Sequence, residues 1–238
     1  MSPINSIRHR DIRVECSEAN RRLSGTGLVD LTFGNVSVFN AEAGVFAIKP
    51  SGVSYSDLTP ENMVLVDLEG EVVEGDLKPS SDTPTHRALF QAFGASGIRS
   101  VVHTHARAAV AFAQAALDIP CFGTTHADYF NGPVPVTRAM TRAEVEGDYE
   151  WETGQVIIER FAELDPVQVP SVLVRNHGPF SWGATAAKAL ETAQALEAIA
   201  DMAQRTMGLD RAALELPAHL LARHFQRKHG EHSYYGQD

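Results

Sequence analysis

The stretch SDTPTHRALFQAFGASGIRSVVHTHARAAVAFAQAA, residues 81–116, contains a helix start, a helix, a strand and a second helix, in that order. Thr83 is suited to cap the first helix and Pro84 to occupy its first turn, because proline lacks only an N–H that a helix start leaves unpaired anyway. That helix is expected to run to about Phe93. Ile98 to His103 is an apolar run of the kind that fills a buried strand, and about Ala106 to Ala116 is the next helix. A helix–strand–helix unit of this kind places the chain among the α/β proteins.

On the N-terminal side, Ile7 to Leu23 has the pattern of an amphipathic helix, ended by Ser24-Gly25-Thr26-Gly27. Short strand-like runs follow at Leu28 to Phe33, Ser37 to Phe39 and Val45 to Ile48. Met63 to Leu68 and Glu71 to Val73 flank Glu69-Gly70, a hairpin turn signal. Such hairpins argue against a purely parallel sheet. On the C-terminal side, Glu150 to Glu163 reads as a helix and Ser171 to Val174 as a strand. Steps of three and four link Ala186, Leu190, Ala193, Leu196, Ala200, Ala203 and Met207, so Thr185 to Met207 is a long amphipathic helix. A last helix is expected over Pro217 to Lys228. No linker, charge run or repeat interrupts the chain, which favours one domain over residues 1–238.

The 238 residues are 44% hydrophobic and 21% charged, values that exclude disorder as the main state. Twenty Lys and Arg against thirty Asp and Glu give a net charge of −10. So acidic a chain is a poor partner for nucleic acid or anionic lipid, and neither a nucleic-acid nor a membrane partner is expected. No window approaches the roughly 20 apolar residues of a membrane span. Two cysteines make no disulfide framework, so a reducing, cytoplasmic location is expected. The ten histidines are the unusual count.

Two of them, in His103-Thr104-His105, leave the strand on one face, because side chains alternate along a strand. Imidazole nitrogens suit Zn²⁺, and a catalytic zinc needs a third ligand with one position left open. Taken alone, the triplet equally describes two half-exposed histidines at a strand end. His177 follows the strand Ser171 to Val174 and is the candidate third ligand; the alternative is a turn histidine before Gly178-Pro179. Lys49-Pro50-Ser51-Gly52 and Pro79-Ser80-Ser81-Asp82 offer an ammonium, hydroxyls and free N–H groups, which a phosphate needs, although each is also an ordinary turn. Gly25-Thr26-Gly27 follows a helix and lacks a third glycine, so a dinucleotide fingerprint is absent. Thr124 to Phe130 packs hydroxyls, an imidazole and a carboxylate into seven residues, as a site loop does or a solvated connection with a capping Asp. Tyr234-Tyr235 are odd residues to leave on a polar tail unless they dock on something.

Phe33-Gly34-Asn35-Val36-Ser37, Ile48-Lys49-Pro50-Ser51-Gly52, Pro79-Ser80-Ser81-Asp82-Thr83, Val102-His103-Thr104-His105, Gly123 to Phe130, Tyr149 to Gly154, His177-Gly178-Pro179-Phe180 and Tyr234-Tyr235-Gly236-Gln237 together resemble the bacterial L-ribulose-5-phosphate 4-epimerases. These belong to the class II aldolase superfamily, with the L-fuculose-phosphate aldolases. The blocks run in order through almost the whole chain. The resemblance implies a three-layer α/β/α sandwich around a mixed, largely antiparallel sheet, and a homotetramer with active sites between subunits. It also implies Zn²⁺ on His103, His105 and His177, with Mn²⁺ or another divalent ion as the alternative. Asn35, Lys49, Ser51, Gly52, Ser80 and Ser81 match phosphate-binding positions. Asp82 matches an acidic residue beside the metal, where the aldolases carry Glu and the epimerases Asp. Asp128 and Tyr235 match the acid/base pair, and Thr124, Glu150 and His224 match supporting positions. Arg175-Asn176 before His177 departs from the relatives' pattern.

The reaction so implied inverts C4 of a pentulose 5-phosphate, within pentose breakdown of the arabinose type. The C4 hydrogen is not acidic, and hydride chemistry would need the missing dinucleotide fingerprint. Reversible C3–C4 cleavage remains: retro-aldol cleavage to an enediolate that a metal stabilises, rotation of the aldehyde, and re-addition to its other face. Two proton-transfer groups, one per face, are then required, and Asp128 and Tyr235 are the candidates. A metal-dependent aldolase acting on a ketose 1-phosphate and a non-catalytic adducin-like module are the competing readings. Asp82 argues against the first and the three histidines against the second.

Overall fold

A computed structural model of the protein describes residues 7–230. In chain order its helices are α1 (Ile7–Ser24), α2 (Thr83–Phe93), α3 (Arg107–Ala115), α4 (Thr124–Ala127), α5 (Arg142–Glu146), α6 (Tyr149–Arg160), α7 (Ala186–Leu209) and α8 (Ala218–His229). The strands are β1 (Asn35–Asn40), β2 (Val45–Ile48), β3 (Val64–Asp67), β4 (Val72–Glu74), β5 (Ser100–His103), β6 (Ser171–Leu173) and β7 (Pro179–Gly183). They form one sheet in the order β4-β3-β2-β1-β5-β7-β6.

Among the described residues all six strand pairings are antiparallel. The expected mixed character reduces to one isolated parallel bridge, Val136 with Leu173. The period-two alternation of the strands divides the core. Val36, Val38, Val45, Ala47, Leu65 and Val102 pack under α1 and the start of α7. Phe46, Ile48, Val64, Val66 and Val101 pack with Leu89, Phe90 and Phe93 of α2 and Ile157 of α6. Helical layers therefore cover both faces of the sheet, as expected. No helix among the described residues is long and apolar enough to cross a membrane.

Local chemistry explains several boundaries. The β3–β4 hairpin closes because the Asp67 carboxylate accepts from the backbone N–H groups of Glu69, Gly70 and Glu71. α7 starts where the Thr185 hydroxyl accepts from the Lys188 N–H. The start of α2 differs from expectation. Asp82, not Thr83, is the residue before the first helical turn, and its side chain makes no cap bond. Thr83 instead donates its hydroxyl to the Ser80 carbonyl (2.6 Å), which leaves the Asp82 carboxylate to point elsewhere.

Two other expectations change. Leu28 to Phe33 forms no strand: Leu31 adopts φ 57° and is 82% exposed, so the alternation there does not mark a buried face. β7 was missed, since it opens on proline and ends on glycine, both poor strand formers. It nevertheless lies between β5 and β6. The pairing registers bring Asn35 at the start of β1, His103 at the end of β5 and Phe180 near the start of β7 to one end of the sheet. Lys49 follows directly after β2 at that same end, because Ser37 pairs with Ile48.

Candidate active site

His103 is buried at the end of β5, and the ring of Phe180 stacks on it with centroids 4.2 Å apart. It donates its Nδ1–H to the Pro179 carbonyl (3.0 Å), which leaves Nε2 with its lone pair. The Nε2 atom of His105 lies 3.1 Å from the Nε2 of His103. His177 arrives from the tight turn between β6 and β7, where its N–H bonds to the Val174 carbonyl. Asn176 adopts φ 62° there, a left-handed conformation that asparagine tolerates. Gly178 lets the turn reach the exit of β5, because a Cβ at that position would sit 2.8 Å from the Thr104 carbonyl oxygen. Ligand atoms of His103, His105 and His177 all lie within 4.8 Å of one another.

Burial pulls the pKa of His103 below the usual histidine value. Burial, with the imidazoles of His103 and His105 nearby, lowers that of His177 to about 4. Neutral imidazoles are what a metal ion binds. Three imidazoles converging at a cavity wall fit a divalent cation of borderline softness. Asp82 stands outside this group of three. Its carboxylate accepts from the Asn35 side-chain amide (2.6 Å), which also donates to the Ser80 hydroxyl (3.1 Å). Burial pushes the Asp82 carboxyl up, but the imidazoles of His103 and His86 and the Asn35 amide outweigh it, and its pKa lies below the ordinary value.

The histidines share a cavity of about 350 Å³ with Asn35, Lys49, Ser51, Gly52, Ser80, Ser81, Asp82 and Glu150. Two segments are tied together on the Lys49 side of the cavity: Ser51 N–H bonds to the Lys78 carbonyl and Ser80 N–H to the Lys49 carbonyl. Lys49 is 3% exposed, a buried cation with its Nζ 3.3 Å from the Pro50 carbonyl. Burial lowers its pKa from the ordinary lysine value. An anion entering here would complete the electrostatics of that ammonium. Sequence reasoning gave no role to Thr32, Phe33 and Tyr149, which also line this cavity. The Phe33 ring stacks on His105 and the Tyr149 hydroxyl lies 3.5 Å from His177 Nδ1.

Asp128, Thr124 and His224 do not line that cavity within one chain. They form a second cluster where α8 packs on α4. Arg227 grips the Asp128 carboxylate through Nη2 (2.7 Å) and Nε (3.1 Å), and His224 donates its Nδ1–H to the same carboxylate (3.0 Å). Thr124 accepts the Asp128 N–H on its carbonyl, and His229 donates to the Asp128 carbonyl. Arg227 and His229 were missed, since their places three and five residues after His224 carry no message until α8 is known to pack against Asp128. Tyr235 lies outside the described residues.

A six-pairing antiparallel sheet with a three-histidine cavity at one end is one half of the comparison. The other half is sequence: the pattern of the class II aldolase and adducin N-terminal domain matches residues 14–204, and the chain belongs to that family. L-ribulose-5-phosphate 4-epimerase UlaF of Salmonella paratyphi C (strain RKS4594) is 47% identical over 226 residues, covering 95% of this chain and 98% of its own. The protein of the same name from Salmonella typhi is 46% identical over the same shares. Among solved structures, an L-fuculose 1-phosphate aldolase matches with a TM-score of 0.76 at 24% identity, over 91% of this chain and 95% of its own, which shows the fold. The L-fuculose-1-phosphate aldolase of Thermus thermophilus matches at 0.66 and 25% identity, over 85% and 98%.

Proposed function

We propose that this chain is a metal-dependent L-ribulose-5-phosphate 4-epimerase that interconverts L-ribulose 5-phosphate and D-xylulose 5-phosphate. The observation that carries the reading is one polar cavity in which three imidazoles face a buried lysine and serine hydroxyls. The 47% identity to a protein of that name supports it. His103, His105 and His177 would hold the ion, with Asp82 beside them. Zn²⁺ suits these donors best, and Mn²⁺ is the alternative. When bound, the ion would supply Lewis acidity that draws off the negative charge that C3–C4 cleavage leaves on the three-carbon C1–C3 fragment.

The chain's own residues do the rest. Lys49, Asn35, Ser51, Gly52, Ser80 and Ser81 anchor the phosphate, so the aldehyde fragment turns over without leaving. That retention separates an epimerase from an aldolase. Asp128 and Tyr235 exchange the C4 hydroxyl proton from opposite faces, with Thr124, Glu150 and His224 in support. Since Asp128 and the histidine cavity are separate within one chain, the complete site takes its two halves from neighbouring chains. We therefore read the assembly as a homotetramer of single-domain chains (residues 1–238), working in the cytoplasm on a pentulose 5-phosphate within arabinose-type pentose breakdown.

His103→Asn should lose bound metal and turnover together; normal metal content and turnover would refute the ligand assignment. Asp128→Asn should keep the metal and lose epimerisation by a factor of roughly 10² to 10⁴. Wild-type turnover in that variant would remove Asp128 from the proton transfer.

A further inference from the structure

We propose that Tyr55 is the positioning residue of the phosphate pocket, its hydroxyl fixing the turn that delivers Asn35 and its ring face holding the Lys49 ammonium. The inference rests on the phosphate role given above to Lys49 and Asn35. Tyr55 lies beyond the Lys49–Gly52 segment, in a short turn of 3₁₀ helix over Tyr55–Asp57, and is 7% exposed. Its hydroxyl donates to the carbonyls of Phe33 (2.9 Å) and Gly34 (2.8 Å). Burial pushes its phenol well above the usual tyrosine pKa, so the hydroxyl keeps its proton and remains a donor throughout the working range.

The two carbonyls belong to a turn with little freedom. Gly34 has φ +88°, and a Cβ there would sit 2.7 Å from the His103 carbonyl oxygen. The next residue, Asn35, pairs with His103 across β1 and β5. Fixing the Gly34 peptide therefore fixes where the Asn35 side chain starts. On its other side, the Tyr55 ring lies 5.2 Å from Lys49 Nζ. An aromatic face attracts a cation, and more so when the cation is withdrawn from water. The ring thus offsets part of the burial that works against the Lys49 charge. One side chain sets the separation of two anion-binding segments that are distant in sequence. A lysine and an amide held at a fixed separation recognise a phosphate monoester better than the same groups on loose turns.

The test is Tyr55→Phe, which keeps the ring and its packing and deletes only the hydroxyl, compared with Tyr55→Leu, which deletes both. The probe is inorganic phosphate, read as a competitive inhibition constant, together with KM and kcat for L-ribulose 5-phosphate. Tyr55→Phe should raise the phosphate inhibition constant and KM about threefold to tenfold while kcat and metal content stay near wild type. Tyr55→Leu should raise them further. A hydroxyl that only stabilises the fold would lower the melting temperature and leave the phosphate constant unchanged, and that result would overturn the proposal. Lys49→Met separates the two levels. If it leaves KM unchanged, the phosphate reading itself fails. If it raises KM while Tyr55→Phe does not, only the role of Tyr55 fails.

Discussion

Asp128 receives three side-chain N–H donors, two from Arg227 and one from His224. Burial raises its carboxyl, but the Arg227 and His224 hydrogen bonds outweigh that and hold it below the ordinary carboxylate range. A carboxyl depressed in the folded state stabilises the fold above its unfolded pKa, and that contribution fades as pH falls through the folded value. Asp128→Asn should therefore melt below wild type at neutral pH, with the gap persisting down to about pH 4 and shrinking below it. A gap independent of pH would show that the charge contributes nothing. Arg227 sets which way the carboxylate points, and in the proposed proton transfer a misdirected carboxylate costs rate without costing metal. Arg227→Met is expected to cut kcat by about tenfold to a hundredfold at unchanged metal content. Unchanged kcat would make the clamp a mere brace between α8 and α4.

At the scale of elements, the site depends on turns that only glycine permits. The β6–β7 turn reaches the exit of β5 because Gly178 has no Cβ to meet the Thr104 carbonyl. Gly178→Ala should push His177 away from His103 and His105 and weaken metal affinity, measured by competition with a chelator; unchanged affinity would contradict the close approach. Much of this was legible in the sequence where the local chemistry is self-contained. β2 was read at its observed bounds, and the long helix α7 followed from its apolar spacing. What failed depends on distant partners. Leu28 to Phe33 alternates like a strand, but no neighbouring strand pairs with it and Leu31 faces solvent. β7 carries proline, serine and glycine, and is a strand only because β5 and β6 flank it. The expected Thr83 cap fails for a related reason: Asp82 is the residue before the helix, and Asn35 from β1 claims its carboxylate. The three histidines that cluster were legible from strand exits, but the contacts of Arg227 and Tyr55 are recorded by no motif.

The whole molecule holds two clusters of chemistry apart: the histidine cavity at the end of the sheet and the Asp128 cluster on α4 and α8. If neighbouring chains complete each other's sites, a mixture of two dead variants should recover activity. Co-assembled His103→Asn and Asp128→Asn chains should show roughly a quarter of their sites intact, as random mixing in a closed ring gives. Mixtures that stay inactive, though co-assembled, would place both halves in one chain. The central claim is tested most directly by incubating the metal-loaded protein with L-ribulose 5-phosphate, without any nicotinamide cofactor, and assaying for D-xylulose 5-phosphate and free glycolaldehyde phosphate. The account predicts D-xylulose 5-phosphate with almost no free aldehyde. Glycolaldehyde phosphate released in step with substrate loss, or no D-xylulose 5-phosphate at all, would contradict it.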